Sequence, residues 1–128
     1  MTATEILEVA QAAVTEALGE PASGVAAPAE IVATPAVTLT PADPHITVNR
    51  KIGACPEVTW RVGIAGRRWD LATSLEELGA AYVAAARALA RAGANRIGPF
   101  GSIGPIEIAG VPVIAGSFPL TTGGPPHG

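Results

Sequence analysis

Metal binding is the first chemistry that the spacing of residues in this chain suggests. Asp43 and His45 lie two positions apart, and carboxylate and imidazole groups are common ligands of divalent metals. A metal site needs three or four ligands, however, and the other histidine, His127, lies far along the sequence. We therefore expect Asp43 to occupy a turn and His45 to be packed against the protein or exposed to solvent.

A glycine-rich stretch, GPFGSIG at 98–104, is the second candidate, because closely spaced glycines often surround phosphate groups. Its glycines follow the spacing G-x-x-G-x-x-G, and the Lys-Ser or Lys-Thr ending of a phosphate-binding loop is missing. The stretch also precedes a predicted strand rather than a helix. Ser102 does not fit the G-x-S-x-G pattern of a nucleophile, since Phe100 stands in place of the first glycine. These features favour a turn-forming loop without a catalytic role.

The remaining reactive side chains have simpler explanations. Cys55 is the single cysteine and lies between Ala54 and Pro56, without a neighbouring His or Lys pattern that would activate its thiol. One cysteine cannot form a disulfide within the chain, which fits a reducing compartment. Glu76 and Glu77 have the spacing of helix-capping residues. We therefore predict that the protein is not an enzyme and has no metal, nucleotide or other cofactor.

A basic and aromatic cluster has the residue types that protein interfaces favour. Arg67, Arg68 and Trp69 follow one another at a predicted turn, and Arg and Trp are enriched among the residues that dominate binding energy. A solvated turn with Trp69 folded back on the core explains the cluster equally well. Both interpretations stay open at this point, and the first makes all three residues candidates for a subunit interface.

A second basic segment is the loop at 49–56, which contains Arg50, Lys51 and Ile52. About two to five residues suffice to join two strands in a hairpin, and this loop is longer. The extra length indicates either a connector or an arm that reaches a neighbouring molecule. We favour the arm, which makes Arg50, Lys51 and Ile52 candidate interface residues.

The elements that position these residues belong to one compact domain. The chain has 128 residues, 48% of them hydrophobic and 15% charged, and a net charge of −3. This balance leaves no excess of positive charge for binding nucleic acid or anionic lipid. No apolar run approaches the roughly 20 residues of a membrane helix, so we expect no membrane span. The acidic N-terminal sequence MTATEILE also argues against a signal peptide.

Two amphipathic helices are predicted from spacings of three and four residues between apolar side chains. The first begins at Thr2, which forms a capping box with Glu5, and ends near Gly19. The second begins with a capping box at 73–77 and ends at Gly93. Gly and Pro, with 15 and 12 copies, are too frequent for a helical bundle and favour additional strands and tight loops.

Alternation of apolar and polar residues predicts three strands between the helices, at 37–39, 45–48 and 58–64. The sequence PADP at 41–44 predicts a turn between the first two. One face of the third strand is apolar, and we expect it to pack against the apolar stripe of the second helix. The strand residues are Val58, Trp60, Val62 and Ile64, and the helix residues are Leu75, Leu78, Tyr82 and Leu89.

The chain ends in two predicted strands, at 106–108 and 111–120, joined as a hairpin at Ala109 and Gly110. Pro112 and Pro119 cannot donate hydrogen bonds to a neighbouring strand, which places the last strand at a sheet edge or breaks it with bulges. The sequence thus predicts an α+β fold in the order α-β-β-β-α-β-β, with a mostly antiparallel sheet and two helices packed on one side. We expect a single domain over 1–122 and a flexible C-terminal tail over 123–128.

The order of these segments resembles the tail terminator, or tail completion, proteins of long, non-contractile-tailed bacteriophages of high-GC actinobacterial hosts. The resemblance covers nearly the whole chain and has four features in register. They are the N-terminal helix, PAVTLTPADPHI (35–46), CPEVTWRVGIAG (55–66) followed by LEELGAAYVAAARALARAG (75–93), and GVPVIAGSFPLTTG (110–123).

The resemblance implies a structural virion protein that forms a hexameric ring, caps the tail tube and stops its polymerisation. Its partners would be other copies of itself, the major tail tube protein and a head-completion or connector protein, with DNA only as passing cargo and no membrane. Such a protein is assembled in the host cytoplasm and resides at the tail–neck junction of the virion. Two alternatives stay open. One is another neck component, such as a head-closure connector, and the other is a small ferredoxin-like ligand-binding domain, which would need a pocket with converging polar groups.

Overall fold

The computed structural model describes residues 1–25, 33–47, 56–67, 70–108 and 110–123. Within these ranges the chain forms two helices and six strands joined in one sheet, which confirms the predicted α+β class with a mostly antiparallel sheet. The strand order is β1-β2-β3-β6-β4, and β5 also pairs with β6. In chain order the elements are α1 (Ala3–Leu18), β1 (Ser23–Val25), β2 (Ala36–Thr47), β3 (Glu57–Ala65), α2 (Leu71–Arg91), β4 (Arg96–Ile97), β5 (Gly101–Ile108) and β6 (Val111–Gly123).

Each helix begins where a side chain accepts a hydrogen bond from a free backbone N–H group. The Thr2 hydroxyl accepts from the Glu5 N–H at 3.2 Å, as the capping pattern predicts. The predicted start of the second helix at 73–77 is wrong, since α2 begins at Leu71. Asp70 is the cap because its carboxylate accepts from the Thr73 N–H at 3.1 Å, and its negative charge suits the N-terminal end of the helix dipole.

The turn predicted at PADP does not reverse the chain, because β2 continues through it. Pro41 pairs with Trp60 of β3, and the next pair joins Ile46 to Val58. The β2 side therefore has three more residues between these pairs than the β3 side, which is a bulge. The bulge accommodates Pro44, because the residues it adds do not need to donate to the ladder.

The last strand is central rather than at an edge, which corrects the prediction drawn from its prolines. β6 pairs with β3 on one side and with β4 and β5 on the other. The Pro119 carbonyl accepts from the Gly98 N–H at 2.8 Å, so the nitrogen of Pro119 faces the same side, between the end of β4 and the start of β5. Pro112 pairs with Glu107 beyond the segment that β3 covers. Neither proline interrupts the β3–β6 ladder.

The glycine-rich stretch predicted as a loop is strand from Gly101 onward. β5 pairs with β6 from Gly101 opposite Ser117 to Ile108 opposite Val111, with an irregularity between Gly101 and Gly104. The hairpin predicted between β5 and β6 is confirmed, and Gly110 adopts a φ of 80° there. Gly123 is the last residue of β6 and pairs with Glu57, so the strand extends one residue into the expected tail. Residues 124–128 lie outside the described ranges.

Both helices pack on one face of the sheet, as predicted. Val62 and Ile64 are buried with Leu78 and Leu89, and Trp60 and Tyr82 pack at the margin of the same core. Leu75 is 42% exposed, however, which contradicts its predicted place in this contact. Because α2 packs against α1 as well as the sheet, its buried face is centred nearer to α1 than the apolar stripe suggests. The buried residues of that face are Ser74, Leu78, Ala81, Ala85 and Leu89.

Candidate functional site

Arg67 is the predicted interface residue that falls within the described ranges, and it joins three parts of the chain. It follows β3 and forms ion pairs with Glu20, just after α1, and with Glu77 of α2. Its Nε lies 3.3 and 3.2 Å from the two carboxylate oxygens of Glu77. The hydrogen bond to Glu77 raises the pKa of the Arg67 guanidinium, and the negative charges of Glu77 and Glu20 raise it further.

These contacts give Arg67 a structural role within the chain. They hold the turn after β3 against both helices, and the Arg67 side chain is only 23% exposed. A contact between Arg67 and another subunit stays a prediction. The other five residues of the two predicted interface segments, Arg50, Lys51, Ile52, Arg68 and Trp69, lie outside the described residues, so their place in an interface also stays a prediction.

Contacts with β3 hold the side chain of His45, which was considered above as a metal ligand together with Asp43. The Nδ1 atom of His45 lies 2.8 Å from the Thr59 carbonyl oxygen, and the ring meets the Trp60 side chain edge-on at 4.6 Å between centroids. His45 therefore anchors the β2 bulge to β3. Asp43 is exposed. In the described part of the chain, no three side chains of the His, Cys, Asp and Glu types come together as metal ligands.

A groove of about 300 Å³ runs along the face of the sheet opposite the helices. Its floor is made of small residues, and hydroxyl groups and the Arg61 side chain line its sides. Arg61 Nη1 donates to the Ser117 Oγ at 3.1 Å. Alternation in β3 places Arg61 on this face, but the sequence does not show that β5 forms the far wall. The lining side chains include Thr38, Thr40, Arg61, Ile106 and Ser117.

The described sheet ends in two unlike edges, β1 on one side and β4 with β5 on the other. β1 is a short strand that pairs with β2 in parallel, and β5 is a longer antiparallel strand on the opposite side of the sheet. Within the described ranges no strand pairs with the outer side of either one. Two large apolar side chains near the β5 edge are exposed, Ile103 by 42% and Val111 by 58%.

An apolar stripe runs along the solvent-facing side of α2, beside the exposed charged residues Glu76, Arg87 and Arg91, and we call this stripe the α2 outer face. It comprises Ala72, Leu75, Gly79, Val83, Ala86 and Ala90. Leu75 and Val83 are 42% and 43% exposed. A Cβ atom added to Gly79 would meet no atom within 4 Å, so the described fold does not require glycine there. Glycine inside a helix lowers helix stability by about 1 kcal/mol relative to alanine. At position 79 this loss occurs although packing within the described fold does not require glycine.

Comparison of the sequence with protein-family models and with curated proteins gives no match. Of the helices in the described ranges, neither is long and apolar enough to cross a lipid bilayer.

Proposed function

We propose that this chain is a structural subunit of a bacteriophage virion, a tail terminator that forms a hexameric ring on the end of the tail tube. The ring stops polymerisation of the tube and offers its other side to the head-completion or connector protein. The proposal rests on the resemblance in segment order described above. The structural observation that supports it best is the pair of unlike edges, β1 and β5, at opposite ends of the sheet.

A ring requires every subunit to present two different surfaces that fit each other. Contacts of this head-to-tail kind close into a ring when the rotation between neighbours is a whole fraction of a turn. Strand edges suit such contacts because their backbone N–H and C=O groups are available for pairing. The β5 edge of one subunit, with Ile103 and Val111 beside it, would meet the β1 side of the next subunit.

The charge balance is compatible with a ring through which DNA passes. The chain has 8 Lys and Arg residues against 11 Asp and Glu residues, so its net charge does not favour tight binding to the phosphate backbone. A tail terminator must let DNA through its lumen without holding it. We accordingly propose the tail tube protein and the neck connector as binding partners, and DNA only as cargo.

Imaging of phage particles by electron cryomicroscopy tests the ring directly. We expect sixfold density for this chain at the head-proximal end of the tail tube. Phages that lack the gene should assemble tubes of uncontrolled length that do not join heads. Density at a position between the portal and the tail end would instead identify a head-closure connector. Copies spread along the tube, or a single copy at the neck, would contradict the proposal.

We also propose that Arg50, Lys51 and Ile52, in the loop at 49–56, contact the adjacent subunit or the tail tube. This contact gives a second testable prediction. Replacing Arg50 and Lys51 together by Glu should lower the occupancy of the ring on purified tails by about tenfold, since opposing charges at an interface disfavour association. The melting temperature should change little, because exposed charges contribute little to folding.

Arg91→Glu provides the control for this test. Arg91 is exposed at the end of α2, so the substitution reverses a cation away from the loop. Occupancy of this variant should equal that of the wild type. If the Arg50 and Lys51 variant caps tails as well as the wild type does, the loop is a connector and the interface lies elsewhere, with Arg67, Arg68 and Trp69 as the next candidates.

The groove is the observation that favours the second candidate function, a small ligand-binding domain. Arg61 and the hydroxyls of Thr40 and Ser117 converge at its side, as polar groups do in ligand sites. The element order, which begins with a helix and three strands, differs from the β-α-β-β-α-β order of a ferredoxin-like fold. A thermal shift of several degrees with a small anionic ligand, abolished in Arg61→Gln, would favour this candidate over the ring.

A further inference from the structure

We propose that the α2 outer face binds a second copy of this chain through an antiparallel, two-fold helix–helix contact. This contact is separate from the proposed ring, because a ring of six subunits is closed by head-to-tail contacts between unlike surfaces, whereas a two-fold contact uses the same surface twice. The inference therefore does not rest on the proposed function. Three observations on α2 carry it: exposed apolar side chains, a glycine with open space around it, and the placement of two opposite charges.

The first observation is the exposed apolar surface. Leu75 and Val83 are each more than 40% exposed, and their neighbours on this face are alanines and a glycine. Helices at a protein surface ordinarily turn charged and polar residues toward water. On α2 an apolar stripe lies beside the exposed charges of Glu76, Arg87 and Arg91. Burying this stripe against another helix would remove it from water, which favours association.

The second observation is Gly79, near the middle of α2. No described atom outside the adjacent helix backbone lies within 4 Å of a Cβ atom placed at this position, and the residue is exposed. Packing within the subunit therefore does not explain why the helix contains a glycine here. A second helix lying across this position does explain it, because the absence of a side chain lets the two backbones approach closely. Gly79 thus forms a notch in the middle of the apolar stripe.

The notch and the stripe match a second copy in one antiparallel register. If the two-fold axis lies at the level of Ala81, each Val83 is placed opposite Gly79 of the other copy. The same register brings Leu75 within one residue, about 1.5 Å along the axis, of the level of Ala86, so a larger side chain lies against a smaller one in both cases. Alternation of large and small side chains across a helix pair produces close packing. Ala72 and Ala90 then meet at the two ends of the contact.

The third observation is the charge arrangement beside the stripe. Glu76 and Arg87 are both exposed and flank the same side of the stripe. They are about 16 Å apart along the helix, too far to pair with each other within one copy. In the antiparallel register, Glu76 of each copy lies within one residue of the level of Arg87 of the other, about 1.5 Å along the axis, which gives two ion pairs. The dipoles of two antiparallel helices also attract each other.

We choose a second copy of this chain as the partner because the α2 outer face is complementary to itself. Large residues face small ones, and an acidic residue faces a basic one, when the face is turned onto itself. A different protein would have no reason to reproduce this register. Glu77 and Arg67, the nearest other charged pair, bind each other on the side of α2 toward the turn after β3 and take no part in the contact.

Sedimentation equilibrium of the isolated full chain tests the proposal with a charge exchange. We expect the wild type to dimerise at concentrations on the order of 100 μM, because a contact of one helix from each copy is small. Glu76→Arg and Arg87→Glu should each weaken the dimer by about tenfold, since each places like charges opposite one another. The double variant, with both exchanges, should recover the wild-type dissociation constant to within about threefold, because both ion pairs are restored in reverse.

Glu16→Arg is the matched control for the charge exchange. Glu16 is exposed on α1, so the substitution changes the net charge as Glu76→Arg does but leaves the α2 outer face intact. Its dissociation constant should equal that of the wild type. A wild-type protein that stays monomeric to about 1 mM, or a double variant as weak as the two single ones, would overturn the proposal.

Gly79→Ala distinguishes an effect on the dimer contact from an effect on the folding of the subunit. The substitution should raise the melting temperature of the subunit, because alanine is the better helix former and meets open space. It should also weaken the dimer by about tenfold, since the methyl group fills the notch that receives Val83. A variant that is more stable and dimerises as well as the wild type would show that the helices do not meet at Gly79. The Arg50 and Lys51 variant should keep the dimer even if it abolishes the ring.

Discussion

Phe118→Ala is expected to destabilise the protein by about 3–5 kcal/mol, the range for removing a buried phenylalanine side chain. Phe118 is 0% exposed on the central strand β6, opposite Val62 of β3. Its ring meets Tyr82 of α2 edge-on, with centroids 5.1 Å apart, and lies 6.5 Å from the ring of Phe100. The side chain thus joins the sheet, the second helix and the segment before β5. Its removal leaves a cavity that three separate elements would have to close.

Urea unfolding followed by circular dichroism measures this loss. Phe118→Leu is the matched variant, since it keeps an apolar side chain of similar reach. It should lower the free energy of unfolding by distinctly less than Phe118→Ala does. Phe100→Ala provides a second comparison, because Phe100 is only partly buried at the edge of the same cluster. A loss below about 1 kcal/mol for Phe118→Ala would show that this position is not a centre of the core. The whole stability of a small domain is only about 5–15 kcal/mol, so the expected loss is large.

Gly63→Ala is expected to cost about 1–3 kcal/mol, the range for forcing an added methyl group into a packed site. Gly63 lies in the middle of β3 and pairs with Thr38 of β2. A Cβ atom on Gly63 would overlap the Thr38 hydroxyl oxygen. Thr38 is buried and β-branched, so turning its hydroxyl away requires a change of rotamer. Alanine at position 63 must therefore displace β2 or turn the Thr38 side chain.

A double-mutant cycle with Thr38 identifies the cause of this loss. Thr38→Ala removes the hydroxyl oxygen, so Gly63→Ala should cost much less in that background. Thr38→Val keeps the branched shape, with a methyl group in place of the hydroxyl, and should give little relief, which makes it the matched control. Free energies of unfolding for the four combinations yield the coupling between the two sites. If Gly63→Ala costs the same with and without the Thr38→Ala substitution, the overlap is not its physical origin.

The sequence by itself determined the features that depend on near neighbours in the chain. The Thr2 cap, the two helices and the apolar face of β3 follow from residues three, four or two positions apart, and the structure contains all of them. The β5–β6 hairpin follows from Gly110, whose backbone adopts a positive φ. These features were predictable because capping, helical periodicity and turn conformation involve contacts within a few residues. The α+β class follows from them directly.

The candidate surfaces were predictable only in part. Arg67 was identified from its residue type, but its partners Glu20 and Glu77 come from elements distant in sequence and hold it within its own subunit. Alternation along β3 places Arg61 on the outer face, whereas the groove beside it needs β5 as a wall. The apolar stripe of α2 was expected to be buried through Leu75. Which side of that stripe is covered depends on where α1 packs, and periodicity within α2 does not contain that information.

The tertiary structure decided the place of every strand in the sheet. Prolines in β6 indicated an edge strand. Their nitrogens face positions where no neighbouring strand needs a hydrogen-bond donor, which allows β6 to be central. Prolines in β2 indicated a turn, yet pairing with β3 continues across a bulge. The physical reason is the same in both cases. A proline removes a hydrogen-bond donor on one side of a strand only, and the consequence depends on which neighbour lies there, which the partner strands determine from far along the chain.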